Sequence, residues 1–355
     1  MARHISNLNI ETFRGIKNLE LKDLGDVNIL VGANNCGKTS VLEATMILSR
    51  PNEFSNILKI SRLREGTRTN SSLGVSFYDS FIYLFNKLSD NMLISVSCEA
   101  PDGYKTIIRL NGKIQKLLLE AIGTGVIDNF VGELFCEGGN KQICLFPDVI
   151  PISFNKYDNK IKLQDNKPYI KMEYISAIDH IVKNNFDEIV RNKQLNNKVI
   201  EILSLFDSNI KDLRIVQDED GRIIQMVDNS LLEYMPLSTY GDGIKKVIAL
   251  ANGVVEAQDG VLLVDEIETS IHATALKQVF NWLINACKTF NVQLFLTTHS
   301  IETVDAMLNC NSEFITDDLI RVITLSKKEN QTIARILTGE KALQVRDDYD
   351  LELRK

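Results

Sequence analysis

A chain of 355 residues exceeds one common domain but cannot hold two large ones with linkers, so one elaborated core with a satellite lobe is expected. Apolar residues at 44% and charged residues at 25% match globular usage and exclude a disordered or fibrous chain. A formal net charge of −7 repels polyanions and excludes avid, non-specific coating of nucleic acid.

The basic run Lys59, Arg62, Arg64 and Arg68 is the one candidate DNA contact, and read alone it is a solvated surface. Cys36, Cys98, Cys136, Cys144, Cys287 and Cys310 are scattered without CxxC pairing or histidine spacing, which fits reduced cysteines and a cytoplasmic location. The N-terminus lacks an apolar signal region, and no window reaches the ~20 apolar residues of a membrane span.

In chain order, residues 5–31 read as two short strands, ISNLNIETF and VNILV, the second running through a glycine-containing loop into an apolar helix from Thr39. From 75 to 175 come short β-like runs, LGVSFY, MLISVSCEA, KTIIRLN, ICLF and YIKMEYI, broken by Asp-Gly, Asn-Gly and proline turns. They suggest a mixed or antiparallel insert. Residues 177 to about 207 carry apolar side chains at helical spacing, as one amphipathic helix or a pair, and no heptad run follows to build a coiled-coil arm.

A hairpin around Glu219-Asp220-Gly221 precedes a helix near 243–257, a buried strand at 261–265, a helix at 273–288 and a buried strand at 292–297. Two last strands are expected between Leu319 and Leu337, around the turn Lys327 to Gln331. The fold class is α/β, with a core of residues 1–50 and 231–355 and an insert of 51–230, β-rich over about 75–175 and helical over about 177–207.

Gly32-Ala33-Asn34-Asn35-Cys36-Gly37-Lys38-Thr39 fits GxxxxGK[ST] between a strand and a helix, the context that this phosphate-cradling pattern requires. Backbone N–H groups of the loop, through Asn34, Asn35, Gly37 and Ser40, would close around phosphates at the helix N-terminus. Lys38 would reach the β and γ phosphates, and Thr39 would supply a magnesium ligand.

The apolar strand ending in Asp265-Glu266 puts two acids at the carboxyl edge of a parallel sheet, where α/β proteins bind ligands. Asp265 would hold Mg²⁺, and Glu266 would orient or deprotonate the attacking water. A second buried strand ends in Thr297-Thr298-His299-Ser300, which makes His299 a γ-phosphate sensor. His4, His180 and His272 lack such company, although His272 is close enough to the acids to shape their loop.

Phe13-Arg14-Gly15, GANNCGKTS, Leu237-Ser238-Thr239-Tyr240-Gly241-Asp242-Gly243-Ile244, LLVDEIETSIH and TTHS occur in an order that resembles the OLD/RecF-like ABC-type ATPases. The resemblance covers both ends of the chain and implies a P-loop ABC-type head with a mixed β/helical insert. It implies that Ser238, Gly241 and Gly243 meet the γ-phosphate of a partner subunit, so that ATP glues a homodimer, and that Arg14 lies near bound nucleotide. Ser270 stands where relatives usually have glycine, which puts a tight left-handed turn there in question.

Gln115, Gln142 and Gln164 all remain candidates for a Q-loop glutamine. The tail after His299 is too short for the Toprim nuclease of the OLD proteins, and its one DxD, Asp348-Tyr349-Asp350, reads as a solvated acidic end. The expected function is an ATP-hydrolysing, Mg²⁺-dependent switch that controls an effector protein, a nuclease or toxin, in a bacterial anti-phage defence system. The alternatives are a RecF-type DNA-repair ATPase and a non-hydrolysing ATP-binding scaffold.

Overall fold

A computed structural model describes residues 3–64, 75–89, 91–119, 125–139, 144–158, 168–182, 186–217, 220–310, 319–329 and 331–349. The chain opens with β1 (Asn7–Phe13), β2 (Ile16–Leu21), β3 (Val27–Gly32), α1 (Lys38–Ile47), α2 (Phe54–Ser61) and α3 (Phe77–Ile82). It continues through β4 (Met92–Glu99), β5 (Lys105–Leu119), β6 (Gly125–Gly139), β7 (Cys144–Asn155) and β8 (Met172–Ile175). Three short helices follow, α4 (Asp179–Val182), α5 (Asp187–Arg191) and α6 (Lys193–Leu203), then β9 (Ile210–Gln217), β10 (Ile223–Asn229) and β11 (Glu233–Pro236). Last come α7 (Asp242–Glu256), β12 (Val261–Val264), α8 (Ala273–Thr289), β13 (Gln293–Thr297), α9 (Ile301–Leu308), β14 (Ile320–Lys328), β15 (Gln331–Thr338) and α10 (Gly339–Tyr349).

The core sheet has the order β15-β14-β3-β13-β12-β8, and every pair in it is parallel except β14 with β15. Its strands β3, β13 and β12 are buried on both faces, as continuous apolar runs such as VNILV and VLLV require. Leu262 and Val264 pack with α7, α8 and α9, while Val261 and Leu263 pack on the other side with α1 and the antiparallel sheet. Each residue along β12 therefore serves the core opposite to its neighbour's.

The second sheet runs β2-β1-β4-β5-β6-β7 and is antiparallel throughout. Phe54, Phe81, Phe85, Phe130 and Phe154 knit its inner face to α2 and α3 by mostly edge-to-face contacts, with centroids 5.0–5.8 Å apart. A third sheet, β11-β10-β9, leads into the Leu237–Thr239 turn and α7.

Several expected elements are revised. Three strands, not two, precede the loop, because Arg14-Gly15 is a two-residue hairpin with Arg14 at φ 50°. LGVSFY is not a strand over its described part: Ser76 caps α3, accepting from Asp79 N at 3.1 Å. The helix or helix pair expected over 177–207 is three short helices, and Asn192 separates the last two by leaving the helical region and capping α6 through Leu195 N at 3.1 Å.

The division between core and insert departs from the sheets as well. Strand β8, expected in the insert, is an edge of the core sheet beside β12, whereas β1 and β2, expected in the core, pair within the sheet of the insert strands. A boundary at 231 would cut the β10–β11 hairpin. Among the described residues no helix is long and apolar enough to cross a membrane.

Candidate nucleotide site

The loop between β3 and α1 ends in Gly37 at φ 108°, a left-handed conformation that glycine adopts without strain and that aims the first N–H groups of α1 outward. Gly32 is also fixed by space, since a Cβ there would lie 2.3 Å from Leu325 O. Ala33, Asn34 and Asn35 are exposed around the mouth. Lys38, only 5% exposed, folds back over the loop and donates to Gly32 O at 2.8 Å and Ala33 O at 3.1 Å. Burial pulls its ammonium below the ordinary lysine value, opposed by the nearby Cys36, Asp265, Glu266 and Glu268.

Three strand ends converge on this loop. Thr39 Oγ1 donates to the Asp265 carboxylate, 3.1 Å from Oδ1 and 3.0 Å from Oδ2. Thr297 Oγ1 donates to Asp265 Oδ1 at 2.6 Å, and Tyr174 OH on β8 approaches Oδ2 at 3.5 Å. Burial beside Asp265 raises the Tyr174 phenol far above its ordinary value, so it stays a neutral donor.

Glu266 turns away from β12 in the left-handed region, at φ 46°, and its N–H donates to Thr297 Oγ1 at 2.9 Å. Such a conformation costs a non-glycine residue about 1–3 kcal/mol and persists only where its surroundings enforce it. Here it aims the second carboxylate out of the sheet toward His299, whose Nε2 is 3.7 Å from Glu266 Oε1. Nδ1 of His299 faces the Lys38 ammonium at 3.3 Å. An ammonium can only donate, so Nδ1 accepts and the neutral ring carries its proton on Nε2, facing Glu266. The His299 N–H donates to Glu268 Oε1 at 2.8 Å, which ties the end of β13 to the loop after β12.

The Arg14 expectation resolves into a network. Arg14 Nε lies 2.8 Å from Glu43 Oε2, and Arg64 Nε and Nη2 reach Glu43 Oε1 and Oε2, each at 2.7 Å. Glu43 is fully buried on α1, and Arg64 also donates to Ser40 Oγ at 2.9 Å. Arg14, Asn35, Gly37, Ser40, Arg64 and Tyr83 line a cleft of about 420 Å³ on this side of the P-loop, a volume that a nucleoside can occupy.

The basic run is thereby dispersed: Arg64 turns inward, Arg62 stacks on Phe77 at 4.4 Å, and Arg68 lies outside the described residues. Sequence reading missed Glu43, Thr297 and Tyr174. A buried acid one turn beyond the GKT motif was the one available signal for Glu43.

Gly241 caps α7 with no side-chain partner, and a Cβ on it would meet nothing within 4 Å, so the helix N-terminus stands open. Ser238 is exposed in the turn before it, and no hydrogen bond joins it to Lys38, Thr39 or Asp265 of the same chain among the described residues. The loop at 270 does form a left-handed turn despite lacking glycine: Ser270 has φ 69°, and its Oγ is 2.9 Å from His180 Nε2. Gln115 sits exposed on β5, while Gln142 and Gln164 fall outside the described residues, as does Asp350 of the DxD.

Two family profiles match: "AAA ATPase domain" over residues 4–115, and "AAA domain, putative AbiEii toxin, Type IV TA system" over 155–305. Between them they hold the loop, both acids and His299. The chain is an ABC-type AAA ATPase.

An "ATP/GTP phosphatase" of Helicobacter pylori is 23% identical to this ATPase over 95% of the chain and 96% of the relative. A "DNA replication and repair protein RecF" of Francisella tularensis subsp. novicida is 24% identical over 87% of the chain and 98% of the relative. In fold it is similar to the SMC head bound to the C-terminal winged helix of ScpA, with TM-score 0.54 and 14% identity over 96% of this chain and 99% of that one. No Toprim region is seen in the matches.

Magnesium fits the site by donor type. The Thr39 hydroxyl and Asp265 carboxylate are hard oxygens within 3.1 Å of each other, and Mg²⁺ takes one or two protein oxygens and completes its shell with water and phosphate.

Proposed function

We propose that this ATPase is a Mg²⁺-dependent switch that dimerises around two ATP molecules and transmits its nucleotide state to an effector protein, a nuclease or toxin, in bacterial anti-phage defence. The observation that carries the hydrolytic part is the junction of Lys38, Thr39, Asp265, Glu266 and His299 at one loop mouth. Lys38 leaves the carbonyls of Gly32 and Ala33 for the β and γ phosphates. Thr39 and Asp265 would hold Mg²⁺, which would supply positive charge against the phosphates. Glu266 takes up the attacking water, and His299 donates from Nε2 toward the γ-phosphate. The "ATP/GTP phosphatase" relative supports turnover over mere binding.

The open helix end at the start of α7 supports dimerisation. The N-terminus of α7 has no side-chain cap and open space at Gly241, so with Ser238 and Gly243 beside it this helix end would offer N–H groups to a phosphate. Two chains facing head to head supply each loop with the other's helix end. The toxin–antitoxin description of the profile over 155–305 supports the effector, which would dock on residues 51–230.

The second reading, a RecF-type DNA-repair ATPase, is favoured by the RecF similarity and opposed by the charge of −7. Phosphate release from ATP with Mg²⁺, with and without DNA and with any co-purifying protein, separates the readings. Release unaffected by DNA but shifted by the co-purified protein supports the switch. Stimulation by DNA alone supports repair, and no release at all supports a scaffold.

A further inference from the structure

Lys246 on α7 is completely buried, and among the described residues its ammonium has no hydrogen-bond partner. An unpaired buried charge costs several kcal/mol, so it needs a reason. The carboxylates whose charge reaches it are Asp265, then Glu268, Asp179 and Glu266, and burial nevertheless pushes its ammonium down to about 8. A second orphan lies in the same region: among the described residues Glu268 Oε2 is buried without a hydrogen-bond partner, while Oε1 holds the His299 N–H at 2.8 Å. The structure thus keeps a buried cation and a buried carboxylate oxygen unpaired, one on the helix with the open N-terminus and one in the loop behind the hydrolytic acid.

The surroundings allow little independent motion of these two elements. A Cβ on Gly243 would lie 3.0 Å from Ser270 O, so the first turn of α7 rests on the loop that carries Glu268. His180 on α4 bonds Ser270 Oγ at 2.9 Å from the other side. Small shifts in such a packed junction move between discrete arrangements rather than grading smoothly.

We propose that Lys246 is a positioning residue that pairs with Glu268 when its own subunit takes up Mg²⁺ and ATP, tying the helix offered to the partner to the hydrolytic loop. The inference rests on the reading that Asp265 meets Mg²⁺. A divalent cation there cancels the strongest attraction on Lys246 and repels it, which leaves Glu268 as the dominant nearby anion. Because Glu268 also holds the backbone of His299, the pair adjusts α7 and the γ-phosphate histidine together. A site loaded in one subunit thereby presets the helix end that completes the other.

The test is a double-mutant cycle of Lys246→Met and Glu268→Gln, read by thermal unfolding without nucleotide and with Mg²⁺ plus a non-hydrolysable ATP analogue. Lys246→Met should fold, because removing an unpaired buried charge relieves a cost. Without nucleotide the two Tm shifts should add. With Mg²⁺ and the analogue, the double variant should lose about 3 °C less than the sum, and EDTA should remove that difference.

In turnover, Lys246→Met should lower kcat about tenfold with KM within about twofold, and Lys246→Arg should restore most of it. Additive Tm shifts with the loaded site, or equal coupling without nucleotide, would overturn the pairing. A wild-type protein that gains no stability from the analogue in Mg²⁺ would instead overturn the nucleotide-site reading beneath it.

Discussion

Thr297 Oγ1 donates to Asp265 Oδ1 at 2.6 Å and accepts the N–H of Glu266 at 2.9 Å, so one hydroxyl on β13 fixes both acids at the end of β12. The hydroxyl satisfies the Asp265 carboxylate and holds the turn that throws Glu266 into the left-handed region at φ 46°. Thr297→Val keeps the volume but removes both bonds and leaves a part-buried N–H unpaired, a loss of about 1–3 kcal/mol. Chemical denaturation should show that loss. The kcat should fall at least about tenfold as Glu266 drifts from its position, and Thr297→Ser should recover most of both. Full activity in the valine variant would show that the turn is held elsewhere.

Lys38 and Glu266 face opposite sides of His299, and their removal should have opposite consequences. Lys38→Ala deletes the cation proposed to meet the phosphates and should abolish ATP binding. Glu266→Gln keeps the shape and the Mg²⁺ ligands but loses the base, so ATP should stay bound and the dimer should persist. Size-exclusion chromatography with ATP and Mg²⁺ decides it: Glu266→Gln should elute as a dimer and Lys38→Ala as a monomer. Equal elution of the two would sink the shared-site dimer.

The α/β class and the strands carrying the loop and the acids were legible because each is an apolar run ending in a motif with its own chemistry. VNILV before GANNCGKT and VLLV before Asp265-Glu266 leave little choice of fold, and the structure puts β3 and β12 on either side of β13. Strand β8 is legible as the β-like run YIKMEYI, but its place in the core sheet is not, since MEYI carries no motif and joins the sheet by pairing Leu263 with Tyr174 across a long sequence separation. Glu43 and Lys246 were hidden for a related reason. A charged residue in a helix reads as solvated by default, and only tertiary packing shows it to be fully buried. The Ser270 turn was doubted because glycine preference is a local rule, and the His180 contact accompanies its exception.

Glu43 should be a stability residue before it is a catalytic one. It is the shared partner of Arg14 and Arg64. Removing one partner of a buried ion pair costs about 3–5 kcal/mol, but the Arg64 side chain is 45% exposed and can return to water, so a smaller loss, about 2–3 kcal/mol, is expected for Glu43→Gln. Urea denaturation measures it. Because Arg14, Ser40 and Arg64 line the cleft beside the loop, KM for ATP should rise as well. A variant as stable as wild type would mean that the two arginines are satisfied without Glu43.

The last prediction concerns which subunit Ser238 serves. It lies in the turn before α7, exposed, and among the described residues it makes no hydrogen bond to the P-loop or to either acid of its own chain. If the end of α7 completes the partner's site, Ser238→Arg spoils the site across the interface, whereas Lys38→Ala spoils the site at home. A mixed dimer of the two variants then has one site with both lesions and one with neither. Each variant alone should be inactive, because all its sites carry one lesion. Each mixed dimer holds one good site of its two, so about half of wild-type turnover per mixed dimer should return if the sites act independently. Phosphate release from the mixture, with mixed dimers verified by differently tagged subunits, reads this directly. No recovery in verified mixed dimers would assign Ser238 to its own subunit, as a residue that only shapes the start of α7.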